Sequence, residues 1–249
     1  MKLFAASVIS LVLLVNVHAK SPITVFLAGD STMAEKTADK RPETGWGEML
    51  VPYFDATEVK VENHAKNGRS TRSFIAEKLW QTLIERVKAG DYVFIQFGHN
   101  DEKENTERYA SPADYRTNLL RFVMEVRAKK AFPVLLTPVV RRRFDEKGSF
   151  YDTHGSYPDV VRSVASELKV PLIDMHRKSE AVLREYGAEK SKMLFLQLKP
   201  NENPNYPQGI EDNTHFNPRG AEVMAQIAVE GIKEQKLGLA KYLKTAVQP

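Results

Sequence analysis

Short apolar runs alternate with stretches of 3.6-residue periodicity along this chain, and that alternation leaves few architectures open. Ile23–Ala28 (ITVFLA), Tyr92–Phe97 (YVFIQF) and Val134–Thr137 (VLLT) are apolar on nearly every position. That pattern belongs to strands covered on both faces, hence parallel ones. Val59–Asn63 alternates more and reads as a strand nearer the edge, and Val170–Ile173 is a short fifth candidate. Between them lie helical patterns. Phe74–Lys88 places Ile75, Leu79, Leu83 and Val87 four apart, and Pro112–Lys129, entered through Ser111, carries Leu119, Phe122, Val123 and Val126 on one face. Asp159–Leu168 and Ala221–Lys236 are two more. Strand then helix, repeated, specifies an α/β doubly wound parallel sheet with right-handed crossovers. Ligands in such folds bind beyond the carboxyl ends of the strands.

Met1–Ala19 stands apart from this pattern. Lys2 precedes an apolar run, Leu3 to Val17, which ends in Val17-His18-Ala19. This is the layout of a cleavable export signal, and the run is shorter than the ~20 residues that span a bilayer. Cleavage after Ala19 leaves residues 20–249 as one domain, exported to a periplasm or beyond the cell, with no membrane span. The chain has no cysteine, so the domain must be stable without disulfides, which its size allows. Its net charge is +4, from 36 Lys+Arg and 32 Asp+Glu. Loss of Lys2 leaves 35 against 32, or +3, which is too small and too dispersed for a nucleic-acid binder.

Chemistry-bearing residues cluster where the strands end. Ile23–Ala28 runs into Gly29-Asp30-Ser31-Thr32. This corner can present a serine and its N–H at the sheet edge, although the same tetrapeptide would serve as a turn whose Ser caps a helix. After Val59–Asn63 comes Asn67-Gly68-Arg69-Ser70, where glycine lets backbone approach a ligand. Tyr92–Phe97 ends in Gly98-His99-Asn100-Asp101. Its amide can donate to an oxyanion or simply close a turn. Asp212-Asn213-Thr214-His215 follows the Pro/Asn-rich stretch Lys199–Asn213. Two intervening loop residues can bring the carboxylate to Nδ1 and leave Nε2 to take a proton from serine.

Gly29-Asp30-Ser31, Gly68, Gly98-x-Asn100-Asp101 and Asp212-x-x-His215 resemble, in order, the four sequence blocks of the GDSL or SGNH hydrolases. The resemblance runs from Gly29 to about Gly220. It implies a three-layer α/β/α sandwich, a flavodoxin-like five-stranded parallel sheet in the order 2-1-3-4-5. It also implies a catalytic triad of Ser31, His215 and Asp212, and an oxyanion hole made by Ser31, Gly68 and Asn100. The longer stretches Asn67-Gly68-Arg69-Ser70-x-Arg72-Ser73-Phe74 and Asp212-Asn213-Thr214-His215-Phe216 are similar to rhamnogalacturonan acetylesterases, which deacetylate the pectin backbone. Thr32 stands where the wider superfamily has Leu, a change common in that subfamily.

The implied reaction is acyl transfer through a Ser31 ester, without metal or cofactor. An acetylated acidic polysaccharide would be read by basic residues near the strand ends: Arg69, Arg72, Arg141, Arg142 and Arg143. His99 is expected either to orient Asn100, to line the sugar site or to serve structure. His64 and His154 receive no role, and His176 is expected at the surface. An esterase on xylan or on short acyl esters, and a silent glycan-binding protein, are the alternatives. Oligomeric state is left undetermined.

Overall fold

The computed structural model describes residues 22–244, so the expected export signal lies outside the described residues. Five parallel strands form the central sheet: β1 (Ile23–Gly29), β2 (Val59–Asn63), β3 (Tyr92–Gln96), β4 (Phe132–Leu136) and β5 (Leu172–Ile173). Their order is β2-β1-β3-β4-β5. Ala28 pairs with Ile95 and Gly29 with Gln96, so β1 and β3 end at the same level, and Gln96 in turn pairs with Leu136 of β4.

The period-2 alternation of β1 divides the core. Val25 and Leu27, with Phe94 and Leu136, face one layer; Phe26 and Ala28, with Val93, Ile95 and Leu135, face the other. The first layer holds α1 (Trp46–Leu50), and the second holds α2 (Thr71–Ala76), α3 (Leu79–Arg86), α4 (Pro112–Ala128) and α5 (Tyr157–Leu168). After β5, α6 (Met175–Lys190) leads to an antiparallel pair, β6 (Phe195–Leu198) and β7 (Ile210–Phe216). The closing helix, α7 (Pro218–Glu234), packs into the first layer beside α1.

Two expectations are corrected. Phe74–Lys88 is not one helix: Lys78 takes a left-handed conformation, φ 59°, between α2 and α3. The buried stripe therefore runs through Phe74, Trp80, Leu83 and Ile84, and the spacing of four from Ile75 to Val87 crosses a break. The segment before His215 is not loop throughout, since Ile210–Asn213 belongs to β7. The end of the long Pro/Asn-rich stretch is thus fixed backbone.

Candidate active site

The carboxyl ends of β1, β2 and β3 each deliver one segment to the same place. Gly29 closes β1 where a Cβ would sit 2.8 Å from the Gln96 carbonyl, so glycine alone lets the two strand ends meet. The turn that follows is set by Asp30, whose Oδ1 accepts from the Thr32 N–H at 2.9 Å and the Thr32 hydroxyl at 2.8 Å. That second bond is what threonine supplies where leucine could not. Burial pushes the Asp30 carboxyl up, but the charge and hydrogen bonding of His99 and the Thr32 donors outweigh it and hold it at about 2.

Ser31 Oγ lies 2.9 Å from His215 Nε2, and His215 Nδ1 lies 2.6 Å from Asp212 Oδ2. A β-bulge produces this reach. Phe195 pairs with Phe216 and Gln197 with Glu211, so two steps along β6 span five along β7. Asp212 to His215, four residues opposite Leu196 alone, bulge out of the ladder toward the nucleophile. Asp212 Oδ1 stiffens the bulge by accepting from the N–H groups of Thr214 and His215 at 2.6 and 2.9 Å, while the Gln197 amide fills the gap by donating to the Asp212 carbonyl. Burial raises the Asp212 carboxyl, yet its bonds to the His215 ring and to these N–H groups bring it down to about 2. It is a carboxylate at any working pH.

Gly68 and Asn100 face the same point. Gly68 has φ +76°, a conformation that a residue with a Cβ rarely adopts. Among the described residues no protein acceptor takes the N–H of Ser31 or of Gly68. Asn100 Nδ2 donates one hydrogen to the Arg69 carbonyl at 3.1 Å, which leaves its second free. Two backbone N–H groups without internal partners and one free amide hydrogen are what a developing oxyanion requires.

These groups open into a cleft of about 420 Å³, also lined by Lys40, Glu43, Asn67, Lys103, Arg108, Leu196, Tyr206 and Ile210. The Pro/Asn-rich stretch forms one wall and is fastened down: Asn205 Nδ2 donates to the carbonyls of Ala38 and Arg41, and the Tyr206 hydroxyl donates to that of Lys40.

The arginines expected to read substrate stand elsewhere. Arg69 is paired with Glu77 at 2.7 Å, and Arg72 donates to the Tyr109 carbonyl. Arg141 is bound by Glu102 and by the carbonyl of His99. Arg142 donates to Ser191 Oγ, Asn213 Oδ1 and the Ala188 carbonyl, fastening β7 to the end of α6. Arg143 is exposed, outside the cleft lining. Local acceptors have taken most of these guanidinium groups, so neighbours in sequence are not neighbours of the site. The cations in the cleft are Lys40, Lys103 and Arg108; Lys103 follows Asp101 by two residues, a signal the sequence did offer, while Lys40 and Arg108 are marked by the loops that fold back over the site.

His99 does not line the cleft. It is buried against Asp30, with Nδ1 3.4 Å from Oδ2, and burial pushes its imidazole down to about 4. His176 is buried too, 2.9 Å from Asp152, rather than at the surface. His154 is enclosed between Glu102 and the Val139 carbonyl. No group of three or more His, Cys, Asp or Glu that could hold a metal occurs among the described residues.

A serine, a histidine and an aspartate in hydrogen-bond series at the carboxyl edge of a doubly wound sheet define the class, that of the serine hydrolases. Within it, the chain belongs to the GDSL-like lipase/acylhydrolase family, which it matches over residues 27–223. It is 46% identical over 225 residues to the rhamnogalacturonan acetylesterase RhgT of Bacillus subtilis, covering 90% of this chain and 95% of that one. It is 35% identical over 219 residues to the probable rhamnogalacturonan acetylesterase YesY of the same organism, covering 87% and 95%. Among solved structures it is similar to protein YxiM of Bacillus subtilis, with a TM-score of 0.75 and 28% identity over 88% of this chain and 58% of that one.

Proposed function

We propose that this chain is an exported acetylesterase that removes O-acetyl groups from an acidic pectic backbone. The observation that carries the reading is the Ser31–His215 contact of 2.9 Å, in a cleft that also holds three cations, Lys40, Lys103 and Arg108. Glu43 is paired with Lys36 and Asp212 is hydrogen-bonded to the His215 ring, whereas Lys40, Lys103 and Arg108 have no carboxylate at ion-pair distance among the described residues. Similarity to two proteins named as rhamnogalacturonan acetylesterases supports the same substrate.

His215 takes the proton as Ser31 Oγ attacks the acetyl carbonyl, and Asp212 steadies the imidazolium that forms. The oxyanion is received by the N–H groups of Ser31 and Gly68 and by the Asn100 amide. The imidazolium then protonates the departing sugar oxygen. Water, deprotonated by the same ring, attacks acetyl-Ser31 and releases acetate.

Acetate release from acetylated rhamnogalacturonan and from acetylated xylan, by wild type and Ser31→Ala, tests the proposal. Wild type should favour the acidic polymer, the variant should release none, and a serine-directed phosphonate should label Ser31. Equal rates on the two polymers would remove the pectic assignment, and turnover by Ser31→Ala would remove the mechanism. Export is checked by N-terminal sequencing of the mature chain, which should begin at Lys20.

A further inference from the structure

Behind the nucleophile lies a cation that the acyl-transfer steps leave unused. The Lys36 side chain has no solvent exposure. Its Nζ donates to the Ser31 carbonyl at 2.5 Å and to Asn67 Oδ1 at 2.7 Å, and it pairs with Glu43 Oε1 at 2.8 Å. Three acceptors use all three ammonium protons. They come from three different segments: the nucleophile turn, the loop that carries Gly68, and the stretch that enters α1. The same Glu43 oxygen lies 4.0 Å from His215 Nε2.

Burying an ammonium is unfavourable unless it is fully bonded, and an apolar side chain of like size is often as stable. What the lysine does that an apolar chain cannot is tie specific groups together. We propose that Lys36 is a positioning residue with two effects on this reaction. It fixes the spacing of Ser31 and Gly68, whose N–H groups must converge on one oxygen. It also neutralises Glu43, which would otherwise hold a proton on His215 and withdraw the base. The charged and titratable groups around that ring are Asp212 from β7, Glu43 from the α1 approach, and the cleft cations Lys40, Lys103 and Arg108, with the Tyr206 phenol from the β6–β7 loop. Glu43 and Asp212 are the carboxylates within 4.0 Å of it among the described residues.

The role presupposes Ser31 and His215 as nucleophile and base, so the test counts active sites by phosphonate labelling of Ser31. Lys36→Met, Glu43→Gln and the double variant are compared on a small chromogenic acetate across pH. In Lys36→Met, plateau kcat per labelled site should fall roughly 10–100-fold with KM little changed, less than the loss of a whole oxyanion donor. Its acid limb should move up by about one pH unit, the effect of an unpaired anion at this separation in a partly solvated cleft. Glu43→Gln should move the limb the other way and lose far less kcat. The double variant should return the limb to its wild-type position and keep the kcat loss. Wild-type kcat per labelled site in the double variant overturns the positioning role, and an unmoved limb in Glu43→Gln overturns the charge role. If Lys36→Met does not fold, those two variants decide the matter, because neither leaves an unpaired carboxylate. Failure of Ser31 to label would instead strike at the acyl-enzyme mechanism.

Discussion

Asp101 Oδ1 accepts two hydrogen bonds from Thr71, one from its N–H at 2.8 Å and one from its hydroxyl at 2.5 Å. Thr71 opens α2 just after Gly68, and Asp101 follows Asn100, so this contact makes one rigid unit of two oxyanion segments. Burial drives the Asp101 carboxyl up to about 7, although the Thr71 bonds pull it down. A raised carboxyl binds a proton more readily in the folded chain. Its contribution to stability is full below pH 3.8 and is lost as pH rises toward about 7. His99, depressed to about 4, acts oppositely: stability grows as pH rises from about 4 to 6.5. The two slopes oppose each other in wild type. Asp101→Asn should therefore unmask a rise in urea midpoint between pH 4 and 6.5, and His99→Gln a fall. The same slope in both variants would contradict this balance.

Arg142 is expected to be a structural residue of the bulge. Its guanidinium reaches Asn213, Ser191 and the Ala188 carbonyl, and its N–H donates to the Asn213 carbonyl at 2.8 Å. Arg142→Lys cannot reproduce that fork, and unfolding free energy should drop by about 1–3 kcal/mol. kcat should fall equally on a neutral ester and on a polyuronide, with no dependence on salt. A selective loss on the polyuronide would mean that Arg142 meets substrate.

The sheet and the site were legible to different depths. The three edge segments and the Asp212–His215 pair follow from residues whose function needs a particular type at a particular place, whereas the strand order came from the family resemblance those residues carry. Strand ends were right within a few residues because burial on both faces leaves little freedom. The break at Lys78 was not legible, since the apolar spacing continues across it. The bulge was hidden as well: it depends on pairing with β6, and nothing local in Glu211–Phe216 specifies that partner. The cleft cations were missed because Arg69 and Arg72 follow Gly68 directly and Arg141 follows the end of a strand, whereas Lys103 and Arg108, although they follow Asp101 within seven residues, lie in a stretch with no pattern of its own. Side-chain pairing with Glu77 and Glu102 decided otherwise, and that is tertiary information.

Gly68→Ala should harm turnover more than stability. At φ +76° an added Cβ is strained by about 1 kcal/mol, and it would sit 3.5 Å from the Arg108 guanidinium, an ordinary contact. Relief of that strain would rotate the N–H away from the oxyanion, and one lost donor lowers kcat roughly 10²–10³-fold. Thermal unfolding and kcat measured on one preparation check this. An unchanged kcat would exclude Gly68 as a donor.

Asp212→Asn should reduce kcat by roughly 10⁴-fold while Ser31 and His215 remain in place. The amide can present NH₂ to Nδ1, which favours the wrong tautomer and leaves the imidazolium unsupported. Because Asp212 is held at about 2, its own protonation plays no part between pH 4 and 9. The Asp212 carboxylate should then add no step of its own to the acid limb of wild type. A second step in that limb would show that the carboxylate titrates with the ring.

The cleft cations give the sharpest separation of substrate from chemistry. Lys103 is already desolvated, with Arg108 and Arg141 adding like charge, so its ammonium is pushed down and gains from any anion that enters. Arg108 borders Gly68 and reaches Asn100 Oδ1 at 3.5 Å, which places its fork beside the oxyanion donors without a carboxylate of its own. A uronate next to the acetylated sugar would supply that partner. Lys103→Ala with Arg108→Ala should lower kcat/KM on acetylated rhamnogalacturonan roughly 10–100-fold, the range of one or two charge-assisted hydrogen bonds. A small neutral acetate should be nearly unaffected in kcat, because the triad and oxyanion donors remain. Moderate salt should weaken action on the polymer in wild type and do little in the variant, since a Debye length of ~8–10 Å screens exposed pairs. Arg72→Ala and Arg143→Ala should leave both substrates unchanged. Equal losses on polymer and small ester would mean that the double substitution had disturbed Asn100 instead, and a salt-insensitive wild type would remove the uronate contact altogether.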